Sequence, residues 1–167
     1  DGPVTTRPAH RVEVSRLVPV DAETAFARVT NPRHHPRWIP LTRYEGPTAA
    51  PAPGVAFTMV SGPCARRGRR GFVDRMTTVE HVPPSTAQVT VGRNVVRKDG
   101  PALLGTAGLD VVPVDGGRCR VVWWEEARLA GPWPRRVNER AVGLFLRGML
   151  GLALWRFGRE VSAPDRG

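Results

Sequence analysis

Apolar and polar positions along the chain switch between two periods. Residues 10–18 (HRVEVSRLV) alternate, with Val12 and Val14 on one face, as in a half-buried strand. The spacing then becomes helical: Asp21 is a good N-cap and Ala22, Ala25, Phe26 and Val29 follow at helical intervals, predicting a short helix over 22–29 that stops before Asn31-Pro32. A second helical turn is predicted around NPRHHPRW, kept short by Pro32 and Pro36. Turn residues then separate six strand candidates at 42–46, 54–60, 71–82, 86–92, 103–113 and 118–129. Asp115-Gly116-Gly117 marks a hairpin between the last two, and Pro83-Pro84 another between 82 and 86. From about 134 to 161 there is no proline, and Val137, Ala141, Leu144, Phe145, Gly148, Met149, Leu152 and Trp155 recur at steps of three and four. That is one long helix with an apolar stripe.

Strand, two short helices, six strands and a long helix make an α+β arrangement: seven antiparallel strands with helices on one side. A helix of about 27 residues is about 40 Å long, so the sheet must curve around it.

Composition narrows the partners. With 167 residues, a single domain over 9–162 is expected, flanked by a disordered or extended N-terminal tail at 1–8 and a C-terminal tail at 163–167. The formal net charge is +10, but the basic set is 24 Arg and one Lys, Lys98, a skew that reflects GC-rich coding as well as function. RRGRR at 66–70 and Arg135-Arg136 with Arg140 can contact phosphates or anionic headgroups. No zinc-finger, ribonucleoprotein or helix-turn-helix pattern accompanies them, so nucleic acid is not expected as a partner. Cys64 and Cys119 have neither metal-ligand nor disulfide-framework spacing, so no metal is expected and the compartment reads as reducing and cytoplasmic. Cys64, beside Arg66 and Arg67, is a passive loop thiol or, if exposed, a reactive one. DGPVTTRPAHR has no apolar core of a signal peptide, and the apolar run 141–155 contains Arg147 and falls short of the about 20 residues a membrane span needs. Neither a P-loop, a GxGxxG turn nor a GxSxG elbow is present, so no cofactor and no covalent catalysis are expected.

Four strings carry a family resemblance: VEVSRLVPVDAETAFARV, NPRHHPRWIP, TVEHVPPSTAQV and LDVVPVDGGRCRVVWWEEARL. With the order of elements, they resemble the START-like (SRPBCC) superfamily, in its bacterial polyketide cyclase/dehydrase and lipid-transport branch, over residues 9–162. The resemblance implies a helix-grip fold: a bent sheet closing on the C-terminal helix around an apolar cavity for a polyketide-, aromatic- or lipid-like molecule. It implies either a cofactor-free cyclase, aromatase or dehydrase, or a carrier, sensor or interaction module without catalysis. An anion-binding module for nucleic acid is a remote alternative. Function in such a fold follows the lining of the cavity.

Strand 118–129 alternates most cleanly, with Cys119, Val121, Trp123, Glu125, Ala127 and Leu129 on the apolar, inward face. Glu125 is thereby a candidate general acid or base, or a rim carboxylate paired with Arg. On the long helix, Phe145, Met149, Leu152 and Arg156 share a stripe, which makes Arg156 a candidate partner of Glu125 or a solvated end residue. His34 and His35 precede Trp38; His35 is a candidate proton shuttle at the cavity mouth, or solvated surface. Trp38, Phe57, Phe72, Met76, Trp123, Phe145, Met149 and Leu152 are candidate ligand-lining residues. Strand 71–82 turns Asp74, Thr78 and Glu80 inward if no bulge interrupts it. Leu146, Leu150, Leu154 and Phe157 fall on the flank or back of the long helix and, if exposed, offer a homodimer patch through its outer face.

Overall fold

In the computed structural model, which describes residues 11–132 and 134–163, β1 (Val12–Val18) leads into α1 (Ala22–Val29). Asp21 caps that helix, its carboxylate accepting from the Thr24 amide at 2.8 Å, and so partners one of the first-turn N–H groups that a helix leaves free. A single turn, α2 (His35–Trp38), follows, and then β2 (Thr42–Glu45), β3 (Ala56–Ser61), β4 (Phe72–Val82), β5 (Gly92–Pro101), β6 (Leu103–Val114), β7 (Arg118–Leu129) and α3 (Arg135–Ser162). The strands form one antiparallel sheet in the order β1-β7-β6-β5-β4-β3-β2. Chain neighbours pair throughout, except that β1 crosses to lie beside β7. This is the expected seven-stranded curved sheet with a long C-terminal helix. The tails expected at 1–8 and 163–167 fall, apart from Ala163, outside the described residues, as do the side chains of Arg135 and Arg136.

One strand sits elsewhere than expected. Residues 86–91 form no strand; Ser85 and Thr90 make an isolated bridge around a turn, and β5 begins only at Gly92. The alternation in β5 is regular, with Gly92, Asn94, Val96, Lys98 and Gly100 buried and Arg93, Arg97 and Asp99 outside. Two of its buried side chains are polar, so hydropathy alone does not expose the pattern.

The long helix packs chiefly through its C-terminal half. Leu150, Ala153, Leu154 and Phe157 are buried with Val18, Val111, Val121, Trp38 and α1 in the main core. Leu146 joins Val142, Leu103 and Ala127 in a second cluster. Leu146, Leu150, Leu154 and Phe157 are thus the inward residues, and the outer patch they were expected to form does not exist. Val137, Leu144 and Phe145, read as part of the buried stripe, are instead exposed, Phe145 by 70%. The apolar set covers more than one face of α3, and the sheet touches the face made by Leu146, Leu150, Leu154 and Phe157.

By length and composition α3 could cross a membrane. Here Leu146, Leu150 and Leu154 belong to the core of the fold.

Leu150 is fully buried, so Leu150→Ala is expected to cost about 3 kcal/mol, whereas Phe145→Ala changes unfolding by under about 0.5 kcal/mol. Urea unfolding of the two variants tests this order, which is the reverse of the one the apolar stripe suggests.

Candidate functional site

Between the N-terminal half of α3 and the concave face of β3–β7 lies a cavity of about 950 Å³, at the upper end of the range usual for small-molecule sites. Phe57 and Met59 of β3, Met76 of β4, Val96 of β5, Ala107 and Leu109 of β6 and Trp123 of β7 line the sheet side. Val142, Leu146, Met149 and Leu152 line the helix side. At its rim Leu41, Phe72, Leu144 and Phe145 border both cavity and solvent.

Three charged side chains interrupt this apolar lining. Lys98 Nζ lies 2.6 Å from Asp74 Oδ2 and 3.5 Å from Glu125 Oε2. All three residues are buried, with Lys98 at 5% and Glu125 at 4% exposure. Antiparallel pairing explains how they meet: β5 sets Lys98 opposite Met76, two residues beyond Asp74 on the same face of β4, while Glu125 stands opposite Ala107 on β7. Lys98 itself pairs with Gly105 of β6. The side chains on the intervening strand are therefore small, leaving the space through which the lysine reaches β7. Gly105 has φ +140°, and a Cβ there would lie 2.0 Å from the Glu126 carbonyl oxygen, so glycine is required.

Burial opposes the charge on Lys98, yet the facing carboxylates of Glu125 and Asp74 outweigh it and hold the ammonium above its ordinary range. Burial pushes the Glu125 carboxyl up; Lys98 pulls it back in part, and Asp74 adds to the rise. Asp74 Oδ1 and Glu125 Oε2 are buried and make no hydrogen bond within the protein. The site is a tight Asp74–Lys98 ion pair with a proton-prone carboxyl beside it.

His35 lines the cavity, its Nε2–H donating to the Val29 carbonyl at 2.9 Å and its ring 5.0 Å from that of Trp123. Burial, reinforced by the charges of His34 and Lys98, lowers its pKa to about 4. It is neutral at pH 7. Trp38 is a core residue instead of a lining one: it is 1% exposed, stacks edge-on against Phe157 at 4.9 Å and donates from Nε1 to Glu160 at 2.8 Å. Arg156 does not converge with Glu125. It donates to the Trp38 carbonyl at 3.3 Å and is not among the residues that line the cavity.

Phe57, Phe72, Met76, Trp123, Phe145, Met149 and Leu152 all line the cavity. In β4, Asp74 and Thr78 point inward as expected, but a bulge between Thr78 and Glu80 changes the phase. Beyond it His81 meets inward-facing Asn94 at 2.8 Å. In the 66–70 cluster, Arg66 hydrogen-bonds the Pro36 carbonyl, and Arg43 binds the carbonyls of Ala65 and Arg69, so this loop is tied to α2 and β2. Sequence reasoning missed Lys98. Its signal was present, as the one lysine among 25 basic residues.

Residues 9–161 match the family described as polyketide cyclase / dehydrase and lipid transport. The chain belongs to that family. Among solved structures, a START superfamily protein from Mycobacterium smegmatis superimposes with a TM-score of 0.64 at 13% identity, covering 90% of this chain and 99% of that one. The Zhui aromatase/cyclase from a Streptomyces species gives 0.64 at 10% identity, covering 92% and 93%. A hypothetical protein from Helicobacter pylori gives 0.71 at 11% identity, covering 95% and 91%. At such identities the likeness is one of fold. No curated protein matches the sequence. Within the family fold, the Asp74–Lys98–Glu125 cluster is what distinguishes this cavity's interior from a purely apolar one.

Two outcomes follow from the electrostatics. His35 is held below its unfolded value of 6.5, so its contribution is complete above that pH and is lost as the pH falls towards 4, amounting to about 3 kcal/mol. Glu125, shifted up, acts in the opposite sense; comparing wild type with His35→Gln by urea unfolding at pH 7 and 4.5 isolates the histidine, and the variant is expected to lose less stability. Lys98→Met strands two buried carboxylates and should cost about 3–5 kcal/mol at pH 7. The deficit shrinks on acidification, as Glu125, already pushed up by burial, takes up a proton; a deficit constant with pH contradicts the charge assigned to it.

Proposed function

We propose that the protein binds a hydrophobic polyketide-, aromatic- or lipid-like small molecule in the cavity and that Glu125 exchanges protons with it in a cofactor-free cyclisation, aromatisation or dehydration. The observation that carries this reading is the buried carboxyl of Glu125 in the lining of an apolar cavity, beside a lysine already neutralised by Asp74. Family membership supports the hydrophobic ligand. The apolar walls would hold a flexible chain in one conformer, converting an unlikely encounter of its own atoms into a local one.

Glu125 is suited to proton transfer in both directions because burial favours its neutral form while Lys98 favours its ionised one. In a dehydration, ionised Glu125 takes the proton from the carbon next to a carbonyl. The C–H electron pair forms the new double bond, and the hydroxyl on the neighbouring carbon leaves with the proton that Glu125 returns, as water. Lys98 is a positioning residue here: held by Asp74, it fixes the carboxyl and tunes its proton affinity. Arg156 has no part in this scheme, and neither does His35 as a proton carrier at neutral pH.

Native mass spectrometry of protein purified from its source is expected to reveal a co-purifying apolar molecule. Glu125→Gln should retain that molecule and lower its turnover by about 100-fold or more. Retention with unchanged turnover, or no turnover in the wild type, replaces the enzyme by a carrier with the same cavity.

A further inference from the structure

The same cluster limits which ligands the cavity accepts. Lys98 is the one lysine or arginine among the residues lining it. Its ammonium has three hydrogens and three neighbours, Asp74 Oδ2 at 2.6 Å, Glu125 Oε2 at 3.5 Å and Met76 Sδ at 3.9 Å. Little donor capacity is left for a ligand. Acceptors, by contrast, are in excess, since Asp74 Oδ1 is buried without a hydrogen bond in the protein and Glu125 Oε2 has the ammonium alone, at ion-pair distance. With both carboxylates ionised the cluster carries one net negative charge, and with Glu125 protonated it carries none. In neither state does it offer surplus positive charge to an incoming anion.

Several other polar atoms in the lining are already engaged: Thr42 Oγ1 with Ser61, Asn94 Oδ1 with His81, and His35 Nε2 with the Val29 carbonyl. The cluster holds the buried acceptors of the lining that lack a partner. We infer that Asp74, Lys98 and Glu125 form a polarity filter that selects uncharged ligands bearing a hydroxyl, an alcohol or a phenol, and rejects ligands headed by a carboxylate. A hydroxyl donates to a buried acceptor that lacks a partner, whereas a carboxylate is stripped of water with no free cation to meet it. This inference rests on the cavity being the ligand site.

The test uses three fluorescent probes of one shape: anthracene, 2-hydroxyanthracene and anthracene-2-carboxylate, titrated at pH 7. Wild-type protein is expected to bind 2-hydroxyanthracene at least tenfold more tightly than either of the others. In the double variant Asp74→Asn with Glu125→Gln, the ammonium loses both anionic partners, and preference should pass to the carboxylate by a similar factor. Carboxylate or unsubstituted anthracene binding the wild type as tightly as the hydroxy compound overturns the filter while leaving the cavity as a ligand site. If none of the three binds, the cavity reading falls and the filter with it. The wild-type ratios decide the matter even where the double variant does not fold.

Discussion

The seal between the C-terminal half of α3 and one end of the sheet determines the rest of the molecule. Leu150, Leu154 and Phe157 fill the space over β1 and β7, and Glu160 fixes the helix end by accepting from Trp38 and pairing with Arg37. With that end closed, a helix of 28 residues must project over the remaining strands. The sheet curves away beneath it, and the unfilled volume is the cavity. Packing at one end and space at the other are two results of the same contact, since a rigid helix cannot follow a strongly curved sheet along its whole length.

Into that space the fold puts a charged group that a close-packed interior would not tolerate. Isolated buried ions cost several kcal/mol, so the charges come as a cluster in which each ion has an opposite neighbour. Three strands contribute to it, β4, β5 and β7. Its geometry is therefore as rigid as the sheet and does not depend on loops. Small residues on β6 leave the path open between them.

Much of the architecture is legible in the sequence because the outer and inner faces of most strands differ sharply in polarity. The inward face of β7, from Cys119 to Leu129, is readable residue by residue, and so is the cap at Asp21. Where reading fails, the site itself is the cause. In β5 the inward positions include Asn94 and Lys98, so the strand lacks the apolar alternation that would announce it, while the exposed TAQVTVG beside it has that alternation and is a turn. The bulge after Thr78 leaves no sequence signature and changes which residues of β4 face the cavity. On α3, apolar side chains occur on the core face and the rim face alike, and periodicity cannot rank two apolar faces; only the packing of Leu150 and Phe157 against β1 and β7 separates them. Arg156 shares the stripe of Met149 and Leu152, which line the cavity, but stands a turn further along the helix, where it meets Trp38 instead.

The choice of lysine at position 98 has a chemical corollary. A planar guanidinium is larger than the compact ammonium that sits 2.6 Å from Asp74 and 3.5 Å from Glu125. As all other basic side chains are arginines, the protein has one side-chain amine, and it sits in the wall of the cavity. Isotopic labelling of lysine during growth would thus place a single side-chain reporter inside the binding space, with no other lysine to overlap it. Its resonance would register whatever enters, in a protein that needs no mutation to be labelled.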